Sequence, residues 1–173
     1  LIKNIMKVIK RGDVMVIYPE ARYANVGTNS HLTPSVAKLA KLLKVPVVTI
    51  NMQGNYLQQP IWNLKERKGA RLHADLKCVV TADEIDKLTV DEILGRISKE
   101  LTYDEYKYQL DNKIRIDDEW RAEGLHFPLY RCRKCGKDFA MTSSGSKITC
   151  KFCGDSYEMD EYGQLHSKSG EIA

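Results

Sequence analysis

A chain of 173 residues, 43% hydrophobic and 29% charged, with 11 glycines and 5 prolines, has the make-up of one folded domain with room for a small satellite. That composition excludes a disordered tail, a collagen-like chain and a coiled-coil rod, and no membrane-spanning helix is expected. The net charge of +4 is unevenly spread: residues 1–68 carry 11 Lys/Arg against 3 Asp/Glu, residues 69–126 carry 9 against 14, and residues 127–173 carry 7 against 6. A basic first third suits an anionic partner (phosphate, an acidic membrane surface or nucleic acid) or a set of solvated helix faces. No secretory signal pattern opens the chain.

Ile2, Ile5, Met6 and Ile9 recur with helical spacing, so a helix is expected from Leu1 up to the Gly12-Asp13 stop. The continuous apolar run Val14-Met15-Val16-Ile17-Tyr18 then reads as a buried strand. Residues 19–32 form a polar loop. Thr33-Pro34 opens a helix with the stripe Val36, Leu39, Ala40, Leu43, and Val45-Pro46 ends it. Val47–Met52 is the next apolar run, so residues 14–52 read as a right-handed β-α-β unit with its loop at a strand's C-terminal edge, where ligands bind in such sheets. Residues 69–81 alternate, with Leu72, Ala74, Leu76 and Cys78 on the apolar side, which places Cys78 as a buried, inert thiol. Thr89 caps a helix with the stripe Val90, Ile93, Leu94, Ile97, Leu101, and a second helix over 103–112 turns Tyr103, Tyr106 and Leu110 inward. The charged stretch 113–128 reads as a connector.

Cys132-x2-Cys135 and Cys150-x2-Cys153 carry the strongest local signal. Each pair is followed by glycine, Gly136 or Gly154, which lets the backbone turn its N–H groups toward sulfur. Four thiolates at this spacing describe a zinc ribbon over residues 129–167, with structural Zn2+ and no open coordination position. An all-thiolate site also accepts iron, and two disulfides would require an oxidising compartment. Phe139 and Phe152 are expected to pack the small interior. The ribbon's charge is near balance and no aromatic-basic stripe is legible, so nucleic acid is not the expected partner.

After the first apolar run comes Tyr18-Pro19-Glu20-Ala21-Arg22. A Glu and an Arg two residues apart can hold each other, and the Arg fork can take a phosphate, aided by the helix N-terminus at Pro34. No glycine-rich phosphate loop is present, since Gly27, Gly54 and Gly69 are isolated.

Gly12 through Arg22 resembles the Phe-Pro-Glu-Gly-Thr-Arg block of the glycerolipid acyltransferases, the lysophosphatidic acid (1-acylglycerol-3-phosphate) acyltransferase family. Val45 through Gly54 is similar to the family's next block, a buried strand ending in glycine. The resemblance spans roughly residues 1–80. It departs at Ala21, where the family has glycine, at Arg22, which stands one residue closer to the Glu than the family's Arg, and at Thr49, where the family has proline.

The resemblance implies a partial acyltransferase α/β domain over residues 1–112 with a mostly parallel sheet. It implies transfer of a fatty acyl group from an acyl-CoA or acyl-carrier-protein thioester to a lysophospholipid, in phospholipid biosynthesis at the inner face of a membrane. Glu20 and Arg22 would hold the acceptor phosphate, with Pro19 shaping the strand end and Gly27 in the backing loop. The family's catalytic His is followed five residues later by Asp. Here His31, His73, His126 and His166 are followed at that distance by Val36, Cys78, Arg131 and Glu171, so no catalytic residue is assigned. The expectation is an inactive fragment lacking the N-terminal catalytic part, with exposed sheet edges that favour self-association. The alternative is a non-enzymatic zinc-ribbon module that binds protein or nucleic acid.

Overall fold

The computed structural model describes residues 2–168 and 172. Leu1, expected to begin the first helix, and Glu171, the residue five beyond His166, lie outside the described residues. In chain order the elements are α1 Ile2–Lys10, α2 Ser35–Leu43, β1 Val47–Gln53, α3 Asn55–Gln58, β2 His73–Val80, α4 Val90–Glu100, α5 Glu105–Asp111, β3 Met141–Ser144, β4 Lys147–Cys150, β5 Ser156–Met159 and β6 Leu165–Ser167. The protein mixes helix and strand, and its sheets are antiparallel. They divide between two units: residues 1–23, 29–51 and 74–102 in the first, and residues 24–28, 52–73 and 103–173 in the second.

In the first unit, β1 pairs with β2 as a two-stranded sheet whose inner face packs on α2 and α4. Leu32, Ala37, Val80, Ile85, Ile93 and Ile97 fill that interface. Thr89 caps α4 as the sequence predicts: its hydroxyl accepts the Glu92 N–H while the Glu92 carboxylate accepts the Thr89 N–H. α2 begins one residue later than expected, with Pro34 rather than Thr33 as its N-cap.

The mostly parallel sheet is corrected. Residues 14–18 form no strand, and Val14 and Val16 are 89% and 70% exposed. β-Branched residues favour a strand only where a neighbour accepts the ladder. Here β1 is laddered to β2 alone and residues 14–18 join neither, so the β-α-β unit has no first strand. The apolar side of β2 is corrected too. Leu72, Leu76 and Cys78 are exposed, as are Val48 and Ile50 of β1, because the helices cover the opposite face. α1 buries only Ile5 of its expected stripe, and Ile2 and Met6 are exposed.

In the second unit, β3–β4–β5–β6 form a four-stranded antiparallel meander. Trp62, Ala122, Leu125, Met141, Ile148 and Met159 cluster with the buried Cys132 and Cys150. Residues 113–128 do not run as an exposed connector: Ile114 and Ile116 pack on Leu57, and Ala122 and Leu125 enter the larger cluster. α5 turns Glu105 and Gln109 inward and leaves Leu110 exposed. The reason is backbone satisfaction. The Glu105 carboxylate accepts the Gly54 N–H (3.0 and 2.7 Å), and the Gln109 amide donates to the carbonyls of Ile114 and Glu161 (3.2 and 3.1 Å). Burial pushes the Glu105 carboxyl above the usual carboxylate range, against the pull of the Gly54 and Leu57 N–H groups.

Candidate functional site

The two cysteine knuckles have the same backbone wiring. The Cys132 N–H donates to the Lys137 carbonyl (3.0 Å) and the Gly136 N–H to the Cys132 carbonyl (2.9 Å). In the second knuckle the Cys150 N–H donates to the Asp155 carbonyl (2.7 Å) and the Gly154 N–H to the Cys150 carbonyl (3.0 Å). Both glycines are left-handed, at φ 69° and 70°, which explains why glycine follows the second cysteine each time. The Cys135 N–H points at the Cys132 sulfur (3.5 Å). The hairpin of β3 and β4 and the turn after β4 bring the knuckles together.

The result is a set of four Sγ atoms all within 4.8 Å of one another. Cys132 to Cys153 and Cys135 to Cys150 are both 3.7 Å. A tetrahedron of metal–sulfur bonds of about 2.3 Å has edges of about 3.8 Å, which these two separations match. The separations are far beyond the roughly 2.05 Å of a disulfide, and all five cysteines are free. Four soft thiolates select a thiophilic ion. Among the described residues no further His, Cys or carboxylate joins the group.

The electrostatics push two of the thiols in opposite directions. The N–H groups of Cys153 and Phe152 hold the Cys150 thiol down at about 6. Cys153 accepts the Asp155 N–H, which lowers it, yet desolvation and the three neighbouring sulfurs push it up to about 12. Crowded thiols resist successive ionisation, and a bound cation removes that penalty.

Phe139 and Phe152 do not fill an interior. They are 77% and 62% exposed, Phe139 in the turn after the first knuckle and Phe152 between the cysteines of the second. The buried positions are instead taken by Ala140, Met141 and Ile148, with the rings of Tyr56 and Trp62 in the same cluster.

The loop after residue 18 belongs to the first unit. Tyr18 through Ala21 close a turn through the Ala21 N–H and the Tyr18 carbonyl (3.2 Å), with Pro19 half-buried inside it. Ala21 is left-handed, at φ 52°. Glu20 accepts the Ser30 N–H (2.8 Å) and is held by that backbone rather than by Arg22, which is exposed. Gly27 belongs to the second unit. Its carbonyl accepts the Glu105 N–H (2.8 Å), and a Cβ there would meet the Tyr56 ring at 2.9 Å, so its role there is close packing.

Two groups were not legible in the sequence. Arg67 is buried with its guanidinium 4.9 Å over Trp62 and donates to the Arg121 carbonyl (2.6 Å). His126 Nδ1 lies 2.8 Å from the Ser143 hydroxyl, which also accepts the Gly124 N–H. Both join residues more than 15 positions apart, and no spacing announces them. His166 sits 2.8 Å from Asp160, which precedes it.

Among the described residues no helix is long and apolar enough to cross a membrane. Comparison with family models, with curated proteins and with solved structures finds no match.

Proposed function

We propose that the chain is the acceptor-binding part of a glycerolipid acyltransferase, carrying a structural zinc ribbon. The reaction would move a fatty acyl group from an acyl-CoA or acyl-carrier-protein thioester to a lysophospholipid hydroxyl, at the cytoplasmic face of a membrane. The observation that carries the reading is the turn Tyr18-Pro19-Glu20-Ala21-Arg22. Ala21 has the left-handed backbone that a glycine at this position of the family's block adopts without strain. Ser30 pins Glu20, and the Arg22 guanidinium is left exposed to solvent, a fork suited to bidentate contact with a phosphate.

Acyl transfer needs a base to take the acceptor hydroxyl's proton, and no His-x4-Asp pair lies in these 173 residues. The chain therefore binds the acceptor's phosphate and does not itself perform the transfer. Zinc is the ion of choice for the four thiolates because tetrahedral, redox-silent coordination suits a closed structural site.

Calorimetric titration with glycerol 3-phosphate tests the reading. Binding in the millimolar range is expected, and Arg22→Ala should weaken it at least about tenfold, the loss of one charge-assisted contact. Equal binding by the wild type and Arg22→Ala, or no binding by either, would discard it.

A further inference from the structure

The knuckle end of the second unit combines two properties that the rest of the ribbon lacks. Residues 127–153 hold six Lys/Arg against the single acid Asp138; five of them (Arg131, Arg133, Lys134, Lys137, Lys151) belong to the knuckle segments, and Lys147 stands at the far end of the β3–β4 hairpin, 3.8 Å from Glu158. The described acids of the last third that follow, Asp155, Glu158, Asp160 and Glu161, lie in β5 and the turns on either side of it. Averaging over residues 127–173 hides this polarity. The excess stays positive even after the two net negative charges of four thiolates around a divalent ion.

The same end exposes its largest apolar side chains. Phe139, in the turn after the first knuckle, and Phe152, inside the second, are exposed, as are Leu129 and Tyr130. Tyr130 stacks on Phe139 with ring centroids 5.1 Å apart, and Lys137 Nζ lies 4.0 Å over the Phe152 ring. The Lys151 N–H donates to the Ala140 carbonyl (2.8 Å), and the Ala140 N–H to the Tyr130 carbonyl (3.1 Å). Basic and aromatic groups are therefore one surface on a hydrogen-bonded frame. Exposed aromatics of this size cost solvation unless something covers them.

We propose that this knuckle surface docks on an anionic lipid bilayer. Phe139, Phe152 and Leu129 would enter the boundary between headgroups and acyl chains, and the lysines and arginines around them would face acidic headgroups. The charge complementarity selects an anionic surface, and the apolar tips select one with a hydrocarbon layer beneath it. Single-stranded nucleic acid is the less fitting occupant. Leu129 offers no ring for a base, and one face of Phe139 and one of Phe152 are already taken by Tyr130 and Lys137. The inference deepens the lipid-acceptor reading and rests on it for the choice of a bilayer.

The test is co-sedimentation of the full chain with phosphatidylcholine vesicles containing about a third phosphatidylserine, against pure phosphatidylcholine. The wild type is expected to bind the anionic vesicles at least about tenfold more tightly and to release them as salt rises. Two double variants separate the contributions: Phe139→Asn with Phe152→Ser, and Lys137→Glu with Lys151→Glu. Asn suits the left-handed backbone at Phe139, φ 53°, and retention of bound metal shows that the ribbon still folds. Each pair should lower binding at least about tenfold. Unchanged vesicle binding in both variants overturns the proposal. So does a preference for a single-stranded oligonucleotide with the same residue dependence. Glycerol 3-phosphate titration of the same variants reads the Arg22 loop independently. Absence of that titration with vesicle binding intact sinks the acceptor reading alone, whereas normal titration with vesicle binding indifferent to the knuckle residues sinks the docking.

Discussion

Cys78 and the four knuckle cysteines are the same residue type in opposite circumstances. The alternation of β2 sends Cys78 to the face that carries Leu76, and the sequence gives no sign that this face is the uncovered one. A period of two identifies two faces and cannot say which of them a helix will cover. Cys78 is therefore exposed, with its Sγ 3.5 Å from the Val80 carbonyl. The knuckle cysteines, in contrast, were readable outright, because a local spacing and a following glycine define the candidate metal site without reference to the rest of the fold. The expected consequence is a split in thiol reactivity. With metal bound, one of the five thiols should react with a disulfide reagent within seconds and four should wait for a chelator. Five fast thiols in the metal-loaded protein would contradict the centre, and none would contradict the exposure of Cys78.

Elements that carry their own local chemistry were legible, and elements that depend on a distant neighbour were not. α4 belongs to the first kind. Thr89 and Glu92 form a reciprocal cap, and the apolar stripe recurs at helical spacing, so its boundaries follow from about twelve residues. Residues 14–18 belong to the second kind, since their β-branched run needs a laddered partner to become a strand and takes none in the two-stranded sheet of β1 and β2. α5 failed for another reason: Leu110 is at a plausible inward position, yet Glu105 and Gln109 displace it by satisfying buried backbone groups. The independence of α4 makes its cap measurable. Thr89→Ala removes the side-chain acceptor of the Glu92 N–H and should cost about 1 kcal/mol. Gly95→Ala, at an open helical position with nothing within 4 Å of an added Cβ, should return about as much. Urea unfolding at constant slope measures both. A stabilising Thr89→Ala, or a Gly95→Ala as destabilising as a loss of packing, would show that α4 is not held as described.

Each unit has its own apolar cluster, and the two share no residue. Only the second depends on the cysteines. Cys132 and Cys150 are members of its main cluster as well as candidate ligands, so ligation and packing there are one event. Binding of an ion by four thiolates releases protons and contributes about 10 kcal/mol or more to folding of such a site. Without the ion, four thiols converge within 4.8 Å, and their ionisation is mutually repulsive. Chelation should therefore strip amide protection from β3, β4 and β5 while α2 and α4 keep theirs. Acid should act in the same direction, because the thiolate form is the ligand and falling pH returns protons to it. Hydrogen exchange before and after stoichiometric removal of the ion reads this directly. If β3–β5 stayed protected once the ion had gone, the cluster of Met141, Ile148 and Met159 would be holding the sheet alone. The knuckles would then be anchors for the exposed tips and not the foundation of the unit.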